Sequence, residues 1–274
     1  MAPTRVPTTE DFSSLPPALN VSLVFPSPPE STTAILLIFH GLGDSEVPFT
    51  DFAKNLALPG VLAIAVQGPT PLSAALLGNP LDSGPPRNFH WGDDLVLSPE
   101  TGELDPDPGF EKAERLVMDR LIQDVLVEKC GWELADVLLF GFGQGGSFAL
   151  GLASKARMGR RVEEVKEQEG EGAGSARSSQ GGARGFKGVV SIAGPLPPSM
   201  VPSISSREKV RTPVLICRGS ASEAVDDDAV DFMNAEFTSV KDVKWKRESD
   251  GMPRNADEVA PMMQFFASSL QNAP

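Results

Sequence analysis

Histidine is scarce in this chain: 274 residues contain only His40 and His90. Cysteine is equally rare, with Cys130 and Cys217. Two histidines without helical spacing and two distant cysteines cannot assemble a zinc cluster. Nor do two cysteines make a disulfide framework, which fits a reducing compartment. Positive charge is also short. Lys and Arg number 24 against 37 Asp and Glu, for a net charge of -13 and a sequence pI near 4.6. A phosphate backbone needs a basic face, so nucleic acid is excluded as a partner, and an anionic membrane surface is disfavoured. No apolar run approaches the ~20 residues of a membrane span. Met1–Ser14 lacks the continuous apolar stretch of a secretory signal. These absences lead to the expectation of a cytoplasmic or nuclear protein with no membrane span.

Hydrophobic residues make up 41% of the chain, enough for a sizeable core. Ala34–His40 and Val61–Val66 are continuous apolar runs bounded by turn residues, the pattern of buried parallel strands. Val137–Phe140, Val189–Ala193, Pro213–Arg218 and Val243–Arg247 read as further strands. Val21–Phe25 reads as an antiparallel edge strand. Helical spacing marks Phe49–Leu58, Phe110–Val127, Gln144–Ala156, Asp226–Phe237 and Ala256–Leu270. Strands alternating with helices predict an α/β fold: a mostly parallel central sheet with helices on both faces. Residues 1–18 read as a mobile N-terminal tail, and 19–272 as one domain. Residues 158–186, charged and then Gly/Ser/Ala/Arg-rich, read as a low-complexity insertion.

Val137–Ser147 reads V-L-L-F-G-F-G-Q-G-G-S, which is strand, sharp glycine turn, helix. This is the setting of a G-x-S-x-G nucleophile elbow, but Gly143 stands at the apex. Gly141–Gly146 is not a phosphate loop, since the Lys-Ser/Thr pair is missing, and no cofactor is expected. The run Gly141-Phe142-Gly143-Gln144-Gly145-Gly146, together with Phe39-His40-Gly41-Leu42-Gly43-Asp44, resembles the phospholipase/carboxylesterase family of α/β-hydrolases, which includes the acyl-protein thioesterases. The resemblance spans roughly Ala34–Leu270 and implies an α/β-hydrolase fold.

The resemblance also implies a Ser-His-Asp triad, and each of its positions is substituted. Gly143 stands for the serine. Ser222, in Gly219-Ser220-Ala221-Ser222-Glu223-Ala224-Val225, stands for the acid. Arg254, in Gly251-Met252-Pro253-Arg254, stands for the histidine. Glycine cannot attack a carbonyl, arginine cannot accept a proton near neutrality, and serine cannot stabilise a charged base. The oxyanion hole of the family needs only backbone N–H groups, which fall at Leu42 and Gln144. His40, Leu72, Leu76, Leu77, Phe89, His90 and Trp91 are expected around the pocket.

Three readings follow. In the first, the chain is a pseudo-hydrolase whose pocket binds an acyl or carboxylate ligand beside Arg254. In the second, the insertion over 160–184 docks a protein partner. In the third, the chain is a working esterase or thioesterase with a non-standard set. Its candidate groups are His90 as base, Ser220 or Ser222, and the carboxylates of Asp226–Asp228. The last are more simply a helix N-terminus. Ser147 is read as packing, and Cys217 as a buried strand thiol.

Overall fold

The computed structural model describes residues 4–72, 87–95, 104–156, 185–203 and 208–271. Its strands are β1 (Val21–Val24), β2 (Ala34–Phe39), β3 (Val61–Val66), β4 (Thr70–Pro71), β5 (Phe89–His90), β6 (Val137–Phe142), β7 (Gly188–Ile192), β8 (Val214–Arg218) and β9 (Val240–Lys244). Its helices are α1 (Glu46–Leu56), α2 (Glu111–Arg115), α3 (Gln144–Ala156), α4 (Asp227–Glu236) and α5 (Ala256–Gln271). α2 runs without a break into a π-helical stretch, Leu116–Lys129.

Seven strands form one sheet in the order β1-β3-β2-β6-β7-β8-β9. Every pairing is parallel except that of the edge strand β1, which runs antiparallel to β3 with Val21 opposite Val66. β4 and β5 pair separately as a short antiparallel ribbon. The continuous apolar runs become β2, β3, β7 and β8, which are buried along their whole length.

Side chains alternate between the two faces of the sheet. Ile35, Leu37 and Phe39 join one core with Val117, Leu121, Phe148 and Met233. Ala34, Leu36 and Ile38 join the other with Phe49, Ala53, Met262 and Phe266. The stretch from α2 to Lys129, α3 and α4 therefore cover one face, and α1 and α5 the other. Each large apolar side chain so buried contributes about 1.5–3 kcal/mol.

The strand order decides where a site can form. From β2 the chain crosses to β3 on one side, then returns past β2 to β6 on the other. Such a reversal opens a crevice at the carboxyl ends of the two central strands. Phe39 pairs with Gly141, so the turn after β2 meets the turn after β6.

Several boundaries differ from the sequence reading. α1 begins at Glu46, not Phe49, because Pro48 occupies the first turn, where a missing N–H costs no helical bond. β9 is Val240–Lys244, not Val243–Arg247. It is an edge strand with little buried surface, so it carries no apolar run. The segment 4–18 makes contacts with the end of the π-helical stretch. Arg5 N–H donates to Cys130 O (3.0 Å), Trp132 Nε1 donates to Arg5 O (2.8 Å), and Phe12 is buried. Phe186, read as the end of the insertion, belongs to the core. Residues 158–184 of the insertion lie outside the described residues.

Candidate functional site

At the apex, Gly143 has φ +52°, a left-handed conformation that disfavours side chains. Its N–H donates to Ile192 O at 2.8 Å. Its carbonyl accepts from Gly146 N and Ser147 N, at 2.9 and 3.0 Å, which starts α3. The approach of β6, α3 and β2 is backbone to backbone. A Cβ on Gly141 would lie 2.1 Å from Gly145 O, and one on Gly145 would lie 2.3 Å from His40 O. A Cβ on Gly143 meets no atom nearer than Gly41 Cα, at 4.0 Å. The apex has room for a side chain and carries none.

Facing it is the turn after β2. Gly43 N–H donates to Phe89 O at 2.9 Å, and Asn88 Nδ2 donates to Gly43 O at 2.6 Å. Trp91 ties both turns together. Its backbone N–H donates to Gln144 Oε1 (2.8 Å) and its indole Nε1 donates to His40 O (2.8 Å). The indole stacks on Phe148 at 14° and meets Phe39 edge-on. Trp91 has no exposed surface and forms a buried prop beneath the turns. Leu42 N–H and Gln144 N–H have no hydrogen-bond partner among the described residues.

His40 is fully buried. Its Nδ1 donates to Gly41 O at 2.7 Å and its Nε2 accepts from Gly68 N–H at 2.8 Å, which fixes the tautomer. Burial, the largest influence, lowers its pKa below 6.5. With both nitrogens engaged, His40 holds the loop after β3 against the turn after β2. His90 is also buried. Burial and then the charge of Lys112 lower its pKa. Its Nδ1 has no partner among the described residues. Strand alternation puts it on the side opposite Phe89 and Trp91. Phe89 is buried and Leu72 half-buried, with Leu72 N–H donating to Asn88 O. Leu76 and Leu77 lie outside the described residues.

The loops after β8 and β9 bring Ser222 and the Gly251–Arg254 segment together through Asp250, a residue absent from the sequence reading. Asp250 Oδ1 accepts from Gly219 N–H at 2.9 Å, and Oδ2 accepts from Ser222 Oγ at 2.7 Å. Ser222 Oγ in turn accepts from Val225 N–H at 3.1 Å. Arg247 backs the same loop. Its Nη2 donates to Gly251 O and Met252 O, its Nε lies 3.3 Å from Glu258, and its guanidinium sits 4.3 Å over the Trp245 ring. Arg254 is exposed. Its backbone N–H donates to Glu258 Oε2, and its guanidinium has no partner among the described residues. No signal in the sequence marks Asp250, because its role depends on two loops 28 residues apart meeting.

The remaining candidates are structural. Asp226 caps α4 by accepting from Ala229 N–H (2.8 Å). Asp227 pairs with Lys244 and Arg218, which hold its pKa down at about 2. Asp228 is exposed in the first turn. Ser220 donates only to Arg247 O, and Ser147 is buried. Burial, followed by Asp242, pushes the Cys217 thiol up to about 12, so it is no nucleophile. Among the described residues there is no group of three metal-ligating side chains, and no helix long and apolar enough to cross a membrane.

A strand-turn-helix apex at the switch point of a mostly parallel sheet defines an α/β-hydrolase architecture. The family model for phospholipases and carboxylesterases matches residues 21–161, and the chain belongs to that family. An uncharacterised hydrolase of Schizosaccharomyces pombe is 35% identical over 117 residues, covering 42% of this chain and 44% of that protein. One from Mycosarcoma maydis is 30% identical over 123 residues, covering 42% and 40%. The matches thus span less than half of these curated relatives. Among solved structures, Zea mays acyl-protein thioesterase 2 superposes with a TM-score of 0.59 at 18% identity, covering 92% of this chain and 99% of that one. The Bacillus cereus carboxylesterase gives 0.56 at 14%, covering 95% and 100%. At such identities the likeness is one of fold.

Proposed function

We propose that this chain is a non-hydrolysing member of its family, whose cradle between the turns after β2 and β6 holds an acyl or carboxylate ligand without cleaving it. The observation that carries this reading is the bare apex. Gly143 keeps the left-handed turn and the open space around it, but presents no atom that could attack a carbonyl. Leu42 N–H and Gln144 N–H, without partners among the described residues, suit a ligand oxygen, since an unpaired N–H gains by meeting an acceptor. The exposed guanidinium of Arg254 supplies a positive charge for a carboxylate.

Purified protein is assayed on p-nitrophenyl esters and thioesters, beside a variant combining Gly143→Ser, Ser222→Asp, Arg254→His and Asp250→Asn. The expected result is a silent wild type and measurable turnover by the variant. Melting of the wild type is followed with added fatty acids, and a rise in Tm is expected. The reading fails if the wild type turns over substrate.

One observation favours a second reading, an active enzyme with a rebuilt set: Ser222 Oγ donates to a carboxylate, that of Asp250. Both partners are already committed to backbone N–H groups, which favours a loop clamp. Wild-type hydrolysis that disappears in Ser222→Ala would establish this second reading.

A further inference from the structure

Away from the turns that form the cradle, a half-open cavity of about 830 Å³ lies between the carboxyl-terminal half of α1 and the strands β1, β2 and β3. Small side chains line it where the helix meets the sheet. Ala53 and Ala57, one helical turn apart, and Ala63 on β3 all line it. Leu36 and Leu56 line it as well, and Ala57, left-handed at φ +42°, turns the chain away from the helix. Interiors of proteins are otherwise close-packed. The volume falls within the range of sites that bury small molecules. The lining contains one charged side chain, Lys54. Its partner is Asp51, one turn away, in a solvent-exposed pair that is readily exchanged.

We infer that this cavity is a second ligand site, which takes a single aliphatic chain under α1 with its carboxylate at Lys54. The lining is mostly apolar, with Ser27, Ser31 and Lys54 as its polar side chains, and suits an aliphatic chain. The lone cation fixes which end faces out. This inference does not depend on ligand binding at Gly143, and the two sites can be separated.

Isothermal titration of the full chain with saturated carboxylates of eight to fourteen carbons, below their micellar concentrations, tests it. Affinity is expected to rise about four-fold per methylene until the cavity is full. Ala63→Phe, which fills the cavity, and the gentler Ala53→Leu should each remove this site, with circular dichroism and Tm reporting that the variants fold. Lys54→Met should weaken carboxylates at least three-fold and leave alcohols of equal chain length unchanged. Leu42→Glu, which places a negative charge at the Gly143 cradle, should leave the α1 site intact. Binding that survives both cavity-filling variants and vanishes in Leu42→Glu would overturn the inference in favour of the cradle. Two equivalents bound in the wild type and one in each class of variant would support both sites. Absence of binding by the wild type overturns the inference.

Discussion

Ser222 Oγ lies 2.7 Å from Asp250 Oδ2, so the position that the family resemblance assigns to the triad acid is a serine already bonded to a carboxylate from the neighbouring loop. Restoring an aspartate at 222 alone would set two carboxylates against each other. Such pairs cannot both ionise freely, and one pKa rises. Ser222→Asp should lower Tm at pH 7, lower it less near pH 4 where one carboxyl is protonated, and recover when Asp250→Asn is added. Ser222→Ala should cost about 1.5–3 kcal/mol, the range for losing a hydrogen bond to a charged group. An equal loss for Ser222→Asp at both pH values would disprove the clamp.

The two glycines of the elbow should respond very differently to alanine. At Gly143 the added Cβ meets open space, so Gly143→Ala should cost about 1–2 kcal/mol for the left-handed backbone alone. At Gly141 the Cβ would lie 2.1 Å from Gly145 O, which no side-chain movement can relieve. Gly141→Ala should cost more than about 4 kcal/mol, or give no folded protein. Chemical denaturation of the two variants checks the ordering. Equal losses would mean the turn is built differently.

Trp91 should be worth more than its size suggests. Trp91→Phe keeps a ring against Phe148 but leaves His40 O without its indole donor in a buried site. A loss of about 1–3 kcal/mol is expected for that carbonyl alone. The variant should also loosen the turn that carries Leu42, which would show as faster amide exchange at Leu42 and Gly43.

His40 makes stability depend on pH in a defined window. Its folded pKa is depressed, chiefly by burial, so below 6.5 the unfolded chain binds the proton more readily. Stability is then lost as pH falls from about 6.5 towards the lower folded value, and is fully present above it. Charging Nε2 would also remove the acceptor for Gly68 N–H. His40→Gln should be less stable than wild type at pH 7.5, and the gap in Tm should narrow towards pH 5. Other acid-titrating groups, His90 included, are common to both proteins and cancel. Parallel melting curves would exclude this role.

Much of the architecture is readable from local pattern. A parallel strand buried on both faces must be apolar throughout, which is why β2, β3 and β8 stand out as runs. The helix Gln144–Ala156, which starts at the glycine turn and is buried almost all round, keeps the bounds read from sequence. The two glycine turns are equally legible from their runs of glycine, and at Gly141 and Gly145 the close approach of backbone leaves no room for a side chain. β9 is not legible: an edge strand with the sequence Val240-Lys241-Asp242-Val243-Lys244 has no apolar run to display. The contacts of Thr4 and Arg5 are not legible either, since each finds a partner more than a hundred positions away.

The sequence by itself determined the fold class, the bare apex at Gly143, and the lack of histidine and cysteine for other chemistry. These depend on residue type and on neighbours within a few positions. Only the tertiary structure decided that Asp250 clamps Ser222, that Trp91 is a prop beneath both turns, that His40 spends both nitrogens on backbone, and that small residues of α1 and β3 meet over a cavity. Each of these is a meeting of segments distant in the chain. Strand order and register set such meetings, and no local pattern of residues encodes them.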